Sequence, residues 1–169
     1  DEIALLRSLG QKVGGEHSQY LAYLNRPDVA SLWTFCPDGA HKASCALKTV
    51  PKKDGLKQRK ILACLESNYR WGMPHSDMEL GLWGAASIGA ILLPSDSMQC
   101  SAADQENCFS YVQTPTWMWP WMATQRVKHV EVGGSQRTGL NLPPSAYVRP
   151  LYKRLAMGCS HSVHLIMCM

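Results

Sequence analysis

The run from Ala46 to Cys64 places the tightest local constraint on the chain. Ala46-Leu47-Lys48-Thr49-Val50 reads as one β-strand, Arg59-Lys60-Ile61-Leu62-Ala63-Cys64 reads as another, and Asp54-Gly55 stands between them. Asp-Gly is a strong turn signal because glycine takes positive φ at no steric cost, so the two runs are expected to fold back as an antiparallel hairpin. The hairpin is dense in cations: Lys48, Lys52, Lys53, Lys57, Arg59 and Lys60. Arginine grips phosphate oxygens as a bidentate fork and lysine supplies a point charge, so such a hairpin suits closure over a triphosphate. Local composition alone favours a solvated edge hairpin whose lysines discourage sheet-to-sheet aggregation.

Around the hairpin the pattern is mixed. Ile3, Leu5, Leu6, Leu9 and Val13 form an approximate helical stripe that stops at Gly14-Gly15, and a further helical turn is expected over 18–25. Residues 17–43 otherwise read as loops, with Pro27, Pro37 and Asp38-Gly39 as breakers. A helix or buried turn is expected near 84–93, a strand running from Ser101 into 110–113, a second strand over 126–132 ending at Gly133-Gly134, another over 147–155, and a helix over 160–169. The expected class is α+β, divided into an N-terminal helix-and-loop region over 1–45 and a second region over 46–169.

Composition places the chain among globular proteins. Its 169 residues are 46% hydrophobic and 18% charged, enough for one domain burying roughly two thirds of its unfolded surface. A net charge of +4 is compatible with a phosphate-bearing partner without naming one. Seven cysteines lack any Cys-x-x-Cys pair, and they read as reduced thiols of an intracellular protein. The N-terminal residues carry acidic charge where a secretory signal needs basic charge, so no export signal is expected. The uncharged stretch 80–95 contains three glycines and a proline and falls short of the ~20 residues of a bilayer span, so no membrane partner is expected either.

Three segments, in order, resemble motifs of reverse transcriptases. Lys52-Lys53-Asp54-Gly55, with Arg59 four residues after the glycine and Asn68 nine after the arginine, is similar to the fingers hairpin of that family. Asp104, followed five residues later by Phe109, is similar to palm motif A, and Leu155-Ala156-Met157-Gly158 leading to Ser162 is similar to motif B. The resemblance implies that Lys52 approaches the terminal phosphate of an incoming nucleotide, that Lys53 also belongs to the nucleotide site, that Arg59 meets the phosphate nearest the sugar, and that Asp104 is the catalytic metal ligand. It further implies that Phe109 gates the sugar and that Met157 and Gly158 border the nucleotide, glycine allowing close backbone approach. Mg²⁺ is the implied cofactor, a hard ion suited to carboxylate and phosphate oxygen. The implied partners are an RNA or DNA template-primer and a deoxynucleoside triphosphate.

The sequence departs from the family at identifiable points. Ala63-Cys64-Leu65 stands where the family commonly has Asp-x-Arg, so the salt-bridge network of that strand is not expected, and Ala156 and Val163 occupy positions that frequently hold proline. After Asp104 the only carboxylates are Glu106 and Glu131, so the adjacent aspartates of the next palm motif have no counterpart. Two-metal nucleotidyl transfer needs several carboxylates around its ions. The expectation is therefore a fingers hairpin plus an incomplete palm sheet with packing helices, truncated before the Asp-Asp hairpin and inactive as a polymerase by itself.

Two other readings come from different classes. The basic hairpin together with Trp117, Trp119 and Trp121 would bind single-stranded nucleic acid through backbone charge and base stacking. Cys159, His161, His164 and Cys168 would form a zinc module, since His161, His164 and Cys168 share one side of a helix at i, i+3 and i+7.

Overall fold

The computed structural model describes residues 1–12, 14–52, 55, 58–72 and 108–167. The architecture is mixed α/β with small antiparallel sheets. The N-terminal stripe forms α1 (Glu2–Gly10), capped by the Asp1 carboxylate on the Ile3 amide, and α2 (His17–Leu24) follows with a capping box between Glu16 and Gln19. On α2, Tyr20 and Leu24 are one helical turn apart and both enter the core. The α1 stripe is less deeply buried than its pattern implies: Leu5 remains 59% exposed, and the fully buried residue of that helix is Gly10. A Cβ at Gly10 would lie 2.1 Å from the Ser44 carbonyl oxygen, so the helix is seated by backbone approach rather than by leucine packing.

After the short α3 (Pro27–Ala30) comes β1 (Trp33–Pro37), a strand in a stretch expected to be loop. Its alternation is short but regular, with Trp33 and Phe35 buried and Thr34 and Cys36 half-buried. It pairs antiparallel with β5 (Tyr147–Tyr152), Trp33 opposite Tyr152, which ties the first 45 residues into the same sheet as the C-terminal part. The expected strand over 126–132 is realised only as the two-residue β4 (Val127–Lys128) on the other edge of β5, and His129–Val132 turns instead as a 3₁₀ helix. The cause is Glu131, whose carboxylate accepts from the Lys128 amide at 2.7 Å and closes the turn before a ladder can extend.

The hairpin forms as expected, from β2 (Ala46–Pro51) and β3 (Gln58–Ala63), with Leu47 opposite Leu62 and Val50 opposite Arg59. It leads through Cys64 into α4 (Leu65–Trp71). Cys108–Tyr111 is a helical turn, α5, not the strand expected to reach 113, and Gln113 makes only an isolated bridge to Arg154. Thr116–Trp121 is a 3₁₀ helix between Pro115 and Met122, and α6 (Gly134–Thr138) and α7 (His161–Met167) complete the described elements. The core joins both sheets: Leu47, Leu62 and Cys64 from the hairpin side pack with Trp33, Val148, Tyr152 and Met122. The turn expected at 84–93 lies outside the described residues.

One buried carboxylate fastens α4 to α1 and to the segment that leads into β2. Glu66 on α4 has no solvent exposure; it accepts from Arg7 of α1 at 2.7 Å, from Arg70 at 3.1 Å and from the Ser44 amide at 2.8 Å. Burial alone would raise the Glu66 carboxyl, but these donors outweigh it and leave it below its ordinary value. The ion-pair network not expected on the returning strand is thus present on the helix after it, with different partners.

Candidate functional site

Two of the three motif-like segments meet directly at the hairpin base. The Leu62 amide of β3 donates to the Met157 carbonyl at 3.1 Å, so the Met157-Gly158 turn lies along the outer edge of β3. Gly158 has φ +113°, and a Cβ there would sit 2.3 Å from the Leu62 carbonyl oxygen. Glycine is required at this position by the strand it touches. Asn68, on α4, then clasps the turn from the other side. Its Nδ2 donates to the Gly158 carbonyl at 2.9 Å, and its Oδ1 accepts from the Ser160 amide at 3.0 Å. Ser162 Oγ donates back to the Ala156 carbonyl at 2.8 Å, holding the start of α7 against the turn.

Ser110, the residue after Phe109, reaches the hairpin through a side-chain relay. Lys60 of β3 donates from Nζ to the Tyr152 hydroxyl at 2.7 Å, its charge 4.1 Å from the centre of that ring, and Ser110 on α5 lies 3.4 Å from the same hydroxyl. Phe109, next to Ser110, is half-buried. Val112 accepts from the Leu155 amide at 3.1 Å, so the stretch after α5 runs beside the stretch that enters the Gly158 turn.

The described hairpin cations do not form one cluster. Lys60 is committed inward to Tyr152, while Lys48 and Arg59 are exposed. Strand geometry puts Lys48, Val50 and Arg59 on the face opposite to Thr49 and Lys60, because paired residues share a face and faces alternate. Lys52 is half-buried just beyond β2. Met157 is 37% exposed beside the hairpin base. Lys53 and Asp104, named as phosphate and metal ligands, lie outside the described residues, as do Lys57 and Glu106.

Sequence reasoning placed Asn68 in a motif without giving it a task, and it missed Lys60, Tyr152 and Ser110 as a unit. The signal for Asn68 was its spacing from Arg59; nothing local in the chain marks the other three as partners.

A separate aromatic patch stands beside the clasp. Trp71 at the end of α4 packs against Trp117, Trp121 and His161, with ring centres 6.2, 5.5 and 5.6 Å away. Trp71, Trp117 and His161, together with Arg70 and Leu165, line a cavity of about 510 Å³, and Trp117 is 61% exposed. Trp119 is half-buried, its indole N–H donating to the Thr114 carbonyl at 3.0 Å, so the three tryptophans of 117–121 do not form one platform. Burial, with a smaller contribution from His164, pushes the His161 imidazole below its ordinary value.

Among the described residues no group of three or more His, Cys, Asp or Glu side chains could hold a metal ion. Of the proposed zinc set, Cys159 is buried, His161 stands against Trp71, and Cys168 lies outside the described residues. Cys36, Cys45, Cys64, Cys108 and Cys159 are free thiols. Among the described residues no helix is long and apolar enough to cross a membrane. No protein-family model, curated protein or solved structure matches the chain.

Proposed function

We propose that this chain is the fingers and partial palm of a reverse transcriptase, and that its hairpin and the Met157-Gly158 turn border a site for a nucleoside triphosphate. The supporting observation is the clasp of Asn68 on Gly158 and Ser160, with Leu62 bonded to Met157, which brings the first and third motif-like segments into contact across some ninety residues of chain. In this reading Lys52, Lys53 and Arg59 hold the phosphates as charged donors, and Phe109 lies under the sugar. Mg²⁺, when bound, neutralises phosphate charge; Asp104 would be its protein ligand, with the nucleotide's own phosphates completing the shell. A single aspartate does not hold two ions at catalytic separation, so the chain by itself is proposed to bind rather than polymerise.

Equilibrium dialysis with a deoxynucleoside triphosphate and Mg²⁺ tests the reading. Arg59→Ala and Lys52→Ala should each weaken binding at least tenfold, and Asp104→Asn should remove the Mg²⁺ dependence. Unchanged affinity in Arg59→Ala and Lys52→Ala overturns the proposed site.

The Trp71 patch favours a second reading, a noncatalytic single-strand binder. A base stacked on an aromatic ring gains ~1–3 kcal/mol, and Arg70 at the rim adds backbone charge. Binding of an oligonucleotide that falls with salt, is lost in Trp117→Ala and is untouched in Asp104→Asn would favour it over the first.

A further inference from the structure

The outer edge of β2, opposite to the edge that carries Gly158, opens on a second and larger cleft. The Gly14 amide donates to the Leu47 carbonyl at 3.0 Å, so the linker between α1 and α2 runs along that edge, and the space between linker, α2 and β2 measures about 840 Å³. That volume lies within the ~300–1,000 Å³ of small-ligand sites. Its walls are amphipathic. Tyr20, Tyr23 and Leu47 supply aromatic and aliphatic surface, while Lys12 and Lys48 stand at the rim.

The charges at this rim are of one sign. Among the described residues Lys12 and Lys48 are exposed with no ion-pair partner, and no described carboxylate lines the cleft. Arg26 also borders it, but its guanidinium is bidentate to Asp28, at 3.0 and 2.6 Å, and adds little net charge. Gln58 offers an amide with donors and an acceptor on the hairpin side. Aromatic and aliphatic walls suit a planar ring, and phosphate is an anion that lysine ammonium groups bordering one cleft recognise.

We infer that this cleft binds a phosphate ester carrying a planar ring, of the class of nucleoside mono- and diphosphates, with the phosphate held by Lys12 and Lys48. The site is independent of the triphosphate site proposed on the opposite edge, and no metal ion enters it. Occupancy would brace α2 against the hairpin, because the ligand touches both.

Titration calorimetry of the full chain with adenosine diphosphate in EDTA tests the inference, with pyrophosphate and adenosine as separate probes. Adenosine diphosphate should bind more tightly than either probe, since only it uses rim and walls together. Lys12→Ala combined with Lys48→Ala should weaken it at least thirtyfold, and Arg59→Ala should leave it unchanged. Both lysines are exposed, so the double variant should keep the parent's thermal midpoint, which shows that any loss is not unfolding. Absence of binding by the parent chain, full binding by the double variant, or loss of binding in Arg59→Ala would each overturn it. The Arg59→Ala result without Mg²⁺ also separates this site from the triphosphate site, which can fail or stand by itself.

Discussion

Glu66 and Gly158 show how much of the molecule rests on single side chains whose partners are distant in sequence. Removing the Glu66 carboxylate leaves Arg7, Arg70 and the Ser44 amide without their shared acceptor. Glu66→Ala is expected to lower unfolding free energy in urea by about 3 kcal/mol, the lower part of the range for breaking a buried pair, because both arginines are partly exposed and rehydrate. Gly158→Ala meets two costs at once: positive φ, worth ~1–2 kcal/mol for an L-residue, and a Cβ driven into the Leu62 carbonyl. The expected loss is at least about 2 kcal/mol by the same measurement. Gly39 serves as the control, since it also has positive φ but nothing lies within 4 Å of its Cβ position. Gly39→Ala should cost only the conformational part.

Among the elements, the hairpin was the most legible in the sequence. Its strands and turn depend on nearest-neighbour chemistry, alternating strand formers around Asp54-Gly55, and the ladder from Ala46 to Ala63 follows. What it touches was not legible. Nothing in the local pattern says that Met157 will lie along β3 or that Asn68 will hold Gly158. Asn68→Ala should therefore leave the hairpin intact while releasing α7, read as faster amide exchange at Ser160 and Ser162 with little change at Leu62. Lys60→Met separates another contact, the one to Tyr152. It should preserve packing through its similar length yet loosen α5, because Ser110 loses the polarised hydroxyl it faces. The misread elements have local causes. The strand over 126–132 stops at the Glu131 cap, and β1 went unread because its alternating run is only five residues long and ends at Pro37.

For the whole molecule, stability should depend on acid through two carboxylate-arginine clasps, one buried at Glu66 and one half-buried at Asp38. Asp38 joins Arg149, which is nearly buried, and Arg126; Glu66 joins Arg7 and Arg70. In both carboxylates burial acts to raise the pKa and is outweighed by the hydrogen-bonded arginines, Arg149 first for Asp38 and Arg7 first for Glu66, so each folded value lies below the ordinary 3.8 or 4.5. A group depressed by folding stabilises fully above its unfolded value and loses that contribution as pH falls through the folded one. The urea midpoint should therefore hold down to about pH 5 and fall steadily below it, with a shallower fall in Glu66→Gln. A flat midpoint from pH 5 to pH 3 in the parent chain would contradict the two clasps.

The sequence by itself determined the mixed helix-and-strand class, the basic hairpin, α2 and the C-terminal helix, because each depends on periodicity, turn chemistry and capping within a few residues. Tertiary structure alone decided that β1 joins β5, that Lys60 turns inward while Arg59 stays exposed, and that a cationic cleft opens on one edge of the hairpin and the Gly158 turn closes the other. Those outcomes come from contacts between residues dozens of positions apart. Burial and backbone approach select them after the local elements exist, and local pattern carries no record of that choice.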